Sequence, residues 1–270
     1  MTIHWCGTGL SSAPGLRRLI EAGLPGGERH WVATPGMNGL VKAWAAPLLE
    51  DGNVQLQTWV TQILKDPLKK NGWQLQTESD DGGQHVYAGF DKVILAIPPA
   101  QSTTLLNSSG LSALAKPLEP VRVDPCWTLM LAYPLANASG LSHLGPQWNA
   151  ARSVHHRVAW LARESSKPGR GHVERWTVQA SAAWSQEHLE DAPERVQAKL
   201  IKAFSEITGI RATPAHAEVH RWRYAKTLQP LGASHIHSKK QGIGVCGDWC
   251  IGHRVEDGFV SGLELALAAA

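Results

Sequence analysis

The sequence lacks the patterns that define disulfide frameworks and metal sites. Its four cysteines, at positions 6, 126, 246 and 250, are not accompanied by paired Cys or His spacing typical of zinc ligands. The close histidine pairs His155-His156 and His235–His237 do not have the i, i+4 spacing of a helical metalloprotease site. We therefore expect no metal, and we expect free thiols in a reducing compartment.

Long apolar runs and a strong charge of one sign are also missing. No apolar stretch reaches the roughly 18 residues that a membrane span needs. Met1 is followed by the strand-like segment Thr2–Cys6 rather than by a signal peptide. The net charge is only +3 and the basic residues are scattered, which argues against a nucleic-acid partner. We expect a soluble cytoplasmic protein with a small-molecule substrate and no membrane partner.

The most informative positive feature lies near the end of the chain. Gly244–Cys246 reads as a short buried strand that Gly247 breaks, so that Asp248 lies at the carboxyl end of the strand. A helix is predicted to begin near Val255, with acidic residues including Glu256 in its first turn. A strand, an acid at its tip and a helix N-terminus together predict a site for a polyhydroxylated, partly anionic cofactor. An ordinary strand–helix unit with a capping aspartate is the alternative.

The beginning of the chain carries a second cofactor-type pattern. A strand over residues 2–6 leads into a glycine turn containing Gly7, Gly9 and Ser12, followed by a predicted helix over residues 14–22. A strand, a glycine turn and a helix open a dinucleotide-binding βαβ unit, in which Ser12 takes the place of the third glycine.

The dinucleotide unit is predicted to be incomplete near residues 24–30. A second strand that ends in an acid about 20 residues after the glycines normally holds the adenosine ribose, and no strand fits before Trp31. We therefore expect FAD to be bound weakly. We also expect self-association through the sheet edge that a missing strand would expose.

The remaining elements divide by type. Helices are predicted over 36–49, 100–106 and 185–207, strands over 54–60 and 91–97, and a hairpin over 73–78 and 84–88. Strand-like segments at 126–133, 157–162, 173–181 and 217–224 predict an antiparallel sheet. The expected fold is α/β, with a Rossmann-like dinucleotide-binding domain (1–106 and 240–270) interleaved with an antiparallel-sheet substrate domain (107–239).

At this point the sequence resembles a known family. Gly247-Asp248-Trp249 followed by Arg254-Val255-Glu256 and Ser261-Gly262-Leu263 is similar to the C-terminal flavin motif of renalase-like FAD-dependent oxidoreductases, relatives of the amine oxidases. Further blocks resemble the family in the same order along the chain: 31–38, 93–99, 125–131, 165–170 and 220–225. The first 25 or so residues also resemble a saccharopine reductase-type NAD(P) domain.

The resemblance implies roles for particular residues. Asp248, after Gly247, would bind the ribityl or pyrophosphate part of FAD, and the backbone at Val255 and Glu256 would face the pyrimidine side of the flavin. The strand that carries Val60 would lead to the adenine. A protein nucleophile is not expected, because the flavin performs the difficult step and the protein orients it.

Candidate catalytic residues come from the predicted antiparallel sheet and its loops: Arg163, Lys167, Trp222 and Arg223. Alternation places Arg221 and Arg223 on one face of a strand and Trp222 and Tyr224, a further substrate-side candidate, on the other. One face could stack a planar ring while a nearby arginine holds an anionic group. The alternative is a surface sheet on which arginines cover tryptophan edges. Glu164 stands where the family usually has asparagine.

Three functions fit these patterns. The first is an FAD-dependent oxidase that takes a hydride from a dihydronicotinamide-like or amine substrate and passes the electrons to oxygen. The second is an NAD(P)-dependent reductase, which the first residues favour, with NAD(P) as substrate or alternative cofactor. The third is a non-catalytic protein that has lost stable cofactor binding.

Overall fold

The computed structural model describes residues 2–4, 19–20, 31–133, 149–170 and 173–270. The chain forms two compact units, each built from two stretches of sequence: unit 1 contains residues 1–51 and 125–223, and unit 2 contains residues 52–124 and 224–270. These units divide the chain at other points than the predicted domains, whose assignment stays a prediction.

Unit 1 is organised around a six-stranded sheet. Its strands, in spatial order, are β12 (His216–Gln229), β8 (Arg122–Tyr133), β11 (Glu174–Ala180), β10 (Val158–Arg163), β9 (Ala150–Ser153) and β2 (Leu19–Ile20). The pairings from β8 through β2 are antiparallel, which confirms the predicted antiparallel sheet. A separate antiparallel pair joins β1 (Thr2–His4) to β3 (Trp31–Ala33), and helix α1 (Gly39–Glu50) follows.

The core of unit 1 lies between this sheet and helix α5 (Pro193–Thr208). Val196, Leu200 and Phe204 recur at helical spacing and are fully buried against alternate residues of the strands, such as Leu129 and Trp176. This one-sided burial follows from the period of 3.6 residues in the helix and of two in the strands.

The predicted single helix over 185–207 is wrong. The structure has two helices, α4 (Ala182–Glu187) and α5, separated by residues 188–192. Pro193 is the first residue of α5, a position that proline favours because its missing N–H has no helical partner there. The apolar periodicity of α5 was recognised in the sequence, but the start signal that proline gives was not used.

The predicted helix over 14–22 is also wrong where the structure describes it. Leu19 and Ile20 form strand β2 and pair with Ser153 and Arg152 of β9. Sheet pairing therefore overrides the helical spacing of the apolar residues in this segment. The other residues of that predicted helix lie outside the described ones.

Unit 2 contains two small sheets and three helices. The antiparallel sheet consists of β4 (Thr58–Lys65), β5 (Trp73–Ser79) and β6 (Gln84–Phe90). The second sheet has the order β13 (Ile236–Ser238), β14 (Ile243–Val245) and β7 (Val93–Leu95). The helices are α2 (Pro99–Ser108), α3 (Ser112–Ala115) and α6 (Val255–Ala269). The hairpin of β5 and β6 and the start of α6 confirm the sequence predictions.

Strand β4 begins later than predicted. The sequence placed a strand over 54–60, whereas the pairing with β5 starts at Thr58. Gln57 has a φ of +53°, a left-handed conformation that interrupts an extended chain. The strand therefore begins after this residue.

Candidate functional site

The candidate site lies at one edge of a parallel strand pair in unit 2. Strands β7 and β14 run side by side with Leu95 opposite Val245, and the backbone N–H of Cys246 donates to the Leu95 carbonyl oxygen at 3.0 Å. Parallel strands end at the same edge, so residues 96–99 and 246–249 form adjacent loops. Ligands in open α/β sheets bind outside the carboxyl ends of the strands.

Gly247 holds the second loop in a shape that a side chain would disturb. A Cβ at this position would collide with the indole of Trp249, with Cδ1 at 2.8 Å. The Trp249 indole is buried, and its Nε1–H donates to the Ile97 carbonyl oxygen at 3.1 Å. One tryptophan thus ties the two loops together, and this contact requires glycine two residues before it.

Helix α6 also holds the loop at Gly247 in place, through a hydrogen bond to Ser261. The Gly247 N–H donates to the Ser261 hydroxyl at 2.9 Å, and that hydroxyl donates to the Ser234 carbonyl oxygen at 2.6 Å. At the start of α6, the Asp257 carboxylate accepts from the backbone N–H groups of residues 253 and 254 at 2.9 and 2.8 Å. This acid therefore caps the helix, as a carboxylate near the positive end of a helix dipole should.

Asp248 presents a carboxylate at the tip of β14. The residue is half-buried, and a Cβ at Gly258 of α6 would lie 3.8 Å from its backbone nitrogen. No hydrogen bond to its side chain is present in the part of the chain that the structure describes. Its two oxygens therefore have accepting capacity for hydroxyl or N–H groups of a ligand.

Two neighbouring cavities of unit 2 open around this loop. The first, about 120 Å³, is lined by Gly247, Asp248 and the 96–99 loop. The second, about 520 Å³, lies between β4 and α2, and its lining includes Trp59, Val60 and Gln101. The side chain of Tyr224, a residue of β12 that belongs to unit 2, lines both.

The structure thus brings three predicted cofactor residues to these cavities, namely Val60, Gly247 and Asp248. Val255 and Glu256 lie at the exposed start of α6 and line neither cavity. Gly7, Gly9 and Ser12 lie outside the described residues, so their role in cofactor binding stays a prediction.

Sequence reasoning missed the contribution of Tyr224 and of the 96–99 loop to this site. Tyr224 was considered only as a substrate-side residue of the antiparallel sheet. The available signal for the loop was Pro98-Pro99 after a buried strand: Pro99 begins α2 directly at the strand end, which keeps the loop short.

The three charged residues among the predicted catalytic ones, Arg163, Lys167 and Arg223, form ion pairs with carboxylates. The Arg163 guanidinium donates to both oxygens of Glu174, at 2.6 and 2.7 Å, and Lys167 Nζ donates to Glu164 at 2.7 Å. The structure therefore places Glu164 in direct contact with Lys167.

Trp222 and Arg223 lie on opposite faces of β12, as alternation predicts. Arg223 donates to both oxygens of Glu190, at 2.6 and 3.0 Å, and Arg221 donates to one of them at 2.8 Å. The Trp222 side chain is half-exposed, and its ring centroid lies 4.2 Å from that of His220. An aromatic surface is therefore available on the second face.

The ion pairs of Glu190 with Arg221 and Arg223 predict that the stability of the protein depends on pH. The hydrogen bonds from Arg223 hold the pKa of the Glu190 carboxyl below its ordinary value of 4.5. A depressed pKa adds stability above the unfolded-state pKa and loses it as pH falls through the folded one. We expect Glu190→Gln to lower the thermal midpoint at pH 7, and the difference from the natural protein to shrink as the pH falls below about 4.5. Glu187→Gln, an exposed neighbour, is the control, and a difference that persists at low pH would contradict the assignment.

Three cysteines of the described residues, Cys126, Cys246 and Cys250, are free thiols. Burial raises the pKa of the Cys250 thiol to about 11. No group of three or more His, Cys, Asp or Glu side chains suited to a metal ion occurs in the described ranges. Within the same ranges, every helix is too short or too polar to span a bilayer.

The sequence matches no protein-family model, but its fold is shared with solved oxidases. It superposes on cyclohexylamine oxidase from Brevibacterium oxydans IH-35A with a TM-score of 0.63 and 14% identity, covering 87% of this chain and 52% of that one. A putative protoporphyrinogen oxidase from Exiguobacterium sp. 255-15 gives 0.60 and 15%, covering 90% and 54%. The chain thus spans about half the length of these structures, and at such identities the likeness establishes a common fold.

Proposed function

We propose that this chain is an FAD-dependent oxidoreductase, or part of one. Unit 2 carries the residues that hold the flavin dinucleotide, and unit 1 carries the substrate-side residues. The observation that carries the proposal is the cavity formed by Gly247, Asp248 and the 96–99 loop at the carboxyl edge of the β7–β14 pair. The shared fold with an amine oxidase and a protoporphyrinogen oxidase supports it.

The residues at this edge fit a dinucleotide. Asp248 has an accepting carboxylate for ribityl or ribose hydroxyls, and a charge-assisted hydrogen bond of this kind is among the stronger ones in proteins. The hydroxyl of Ser261 and the ring of Trp249 hold the loop in place before a ligand arrives. A rigid loop loses little conformational entropy on binding, which favours affinity.

The second cavity, between β4 and α2, fits the adenine ring at the other end of the dinucleotide. Its lining combines apolar groups, such as Trp59 and Val60, with the polar side chains of Gln101 and Thr104. A few polar groups in a mostly apolar pocket are typical of sites that orient a planar heterocycle. We assign this cavity to the adenine.

The flavin, when bound, supplies the chemistry of accepting a hydride from the substrate and passing the electrons on. The residues of the chain bind and orient the reactants. Gly247 and Asp248 fix the cofactor, and the aromatic face with His220 and Trp222 offers a stacking surface for a planar substrate. Within this proposal the substrate is a dihydronicotinamide-like compound or an amine, and oxygen is the final acceptor. The renalase-like assignment belongs to the same proposal.

The Asp248→Ala substitution tests the cofactor site. We expect it to weaken FAD binding by about ten- to hundredfold, because a hydrogen bond to a charged group contributes about 1.5–3 kcal/mol. The measurement is a titration of purified protein with FAD, followed by flavin fluorescence. Asp80→Ala, on the exposed turn between β5 and β6, is the matched control and should leave the affinity unchanged.

The same titration separates the alternatives. Binding of FAD that depends on Asp248 supports the proposal, whereas binding of NADPH without FAD would favour the NAD(P)-dependent reductase. Binding of neither would favour a non-catalytic protein. Equal affinity in Asp248→Ala and the natural protein would show that the flavin is held elsewhere.

A further inference from the structure

A cluster of charges joins the end of β10 to the start of β11 in unit 1. It contains more cations than carboxylates: Arg163, Lys167, Arg170 and Arg175 against Glu164 and Glu174. The side chain of Glu174 is 8% exposed and that of Lys167 9%. Charges with so little water around them need partners within the protein or from a ligand.

Most of the pairing capacity of the two carboxylates is already used. Glu174 accepts the bidentate bonds of Arg163 and a further bond from the Ser165 hydroxyl at 2.9 Å. One oxygen of Glu164 accepts from Lys167 at 2.7 Å and from the Thr177 hydroxyl at 3.1 Å. Oε2 of Glu164 is left, and it lies 4.0 Å from Nη2 of Arg170.

Arg170 has an unfilled donor edge. Its Nε and Nη2 atoms are buried and make no hydrogen bond to any residue that the structure describes, and Oε2 of Glu164 lies 4.0 Å from Nη2. These two nitrogens form one side of the planar guanidinium and present parallel N–H groups, the geometry that binds a carboxylate or phosphate in bidentate fashion. Arg175 donates from Nη2 to the Arg170 carbonyl oxygen, and its Nε is also buried and has no hydrogen bond to a described residue.

Leaving such donors unpaired is costly, because a buried charged group without its hydrogen bonds carries a desolvation penalty. We infer that the Nε–Nη2 edge of Arg170 is a binding site for an anionic group, a carboxylate or a phosphate. The surplus of positive charge in the cluster favours an anion and disfavours an ammonium group.

Glu164 controls access to this edge. Its Oε2 oxygen lies toward Arg170 beyond hydrogen-bond distance, while Oε1 is held by Lys167 and Thr177. Its side chain is 20% exposed, so the carboxylate can turn outward when a ligand approaches from solvent. A negative charge so close to an incoming anion weakens its binding.

The inference changes which arginine of unit 1 is expected to hold an anion. Arg163 and Arg223 are both occupied by bidentate carboxylates, whereas Arg170 has an unfilled edge. Assigning the bound anion to the substrate rests on the proposed function, and then narrows the substrate class to compounds that carry a carboxylate or phosphate. The site itself is independent of the flavin.

The test measures thermal midpoints of flavin-free protein during titration with sodium phosphate or sodium acetate at constant ionic strength. We expect either anion to raise the midpoint of the natural protein. Arg170→Gln should weaken the apparent affinity for the anion by about ten- to hundredfold. Arg170→Lys should retain part of that affinity, because the positive charge remains while the two parallel N–H donors are lost. Glu164→Gln should strengthen it about fivefold.

Arg211→Gln, which removes an exposed arginine of unit 1, is the control for general charge. An equal loss in Arg211→Gln and Arg170→Gln, or no response of the natural protein to either anion, would overturn the inference. Should Arg170→Gln fail to fold, NMR of the natural protein replaces it. The Nε–H resonance of Arg170 is identified as the one that disappears in Arg170→Lys, and it must shift when acetate or phosphate is added. Because flavin is absent, this outcome is separate from the result of the FAD titration.

Discussion

Replacing Gly247 with alanine should lower the free energy of unfolding by about 2–4 kcal/mol and, under the proposed function, remove FAD binding. The new Cβ would collide with the Trp249 indole, which is buried and donates to Ile97. Forcing a group into a packed interior costs about 1–3 kcal/mol, and displacing the indole loses a hydrogen bond of about 0.5–1.5 kcal/mol. Urea denaturation and an FAD titration measure the two effects.

The matched control for this substitution is Gly262→Ala on helix α6. A Cβ there would meet no atom within 4 Å, and alanine in a helix is favoured over glycine by about 1 kcal/mol. We therefore expect Gly262→Ala to be neutral or stabilising. A similar loss from both alanine substitutions would contradict the role assigned to the contact between Gly247 and Trp249.

Phe204→Ala should destabilise the protein by about 3–5 kcal/mol, the usual cost of removing a buried phenylalanine. Phe204 is fully buried on α5, with its ring centroid 5.6 Å from Trp176 and 6.5 Å from Tyr133. The cavity left behind would lie under two large aromatic rings that cannot easily close it. Denaturant unfolding monitored by circular dichroism gives the value.

Lys202→Ala provides the comparison on the same helix. Lys202 is exposed, so its replacement should change the free energy of unfolding by no more than about 0.5 kcal/mol. A loss below about 1 kcal/mol for Phe204→Ala would mean that the core of unit 1 repacks around the missing ring. The core packing described here would then be wrong.

The elements that could be predicted from the sequence are those determined by residues close together in the chain. The hairpin of β5 and β6 follows from alternation on either side of Asp80–Gly83, and Gly82 has the positive φ of +81° that this turn uses. Strand β2 could not be predicted in this way, because Leu19 and Ile20 are extended only through pairing with β9. Such pairing depends on residues more than a hundred positions away.

The residues of the candidate site also differ in whether the neighbouring sequence predicts them. Gly247 and Asp248 were found from the strand, the glycine and the acid that follow each other in sequence. Tyr224 was not assigned to this site, because its position depends on how the strands come together. Similarly, no sequence pattern shows that Glu174 and Glu190 occupy the arginines predicted to face a substrate. Charge pairing between distant residues is decided by the fold.

The hydrogen bond from Gly247 to Ser261 has a consequence for protein synthesis. The 96–99 loop is translated long before Ser261. The loop at Gly247 can form its hydrogen bond to the Ser261 hydroxyl only after the first half of α6 has been translated. Domains generally fold during synthesis as their segments emerge, and this site would be among the last parts of unit 2 to form. A nascent chain stalled before residue 261 would therefore expose the unfinished pocket of the proposed cofactor site to the cell's proteases and chaperones.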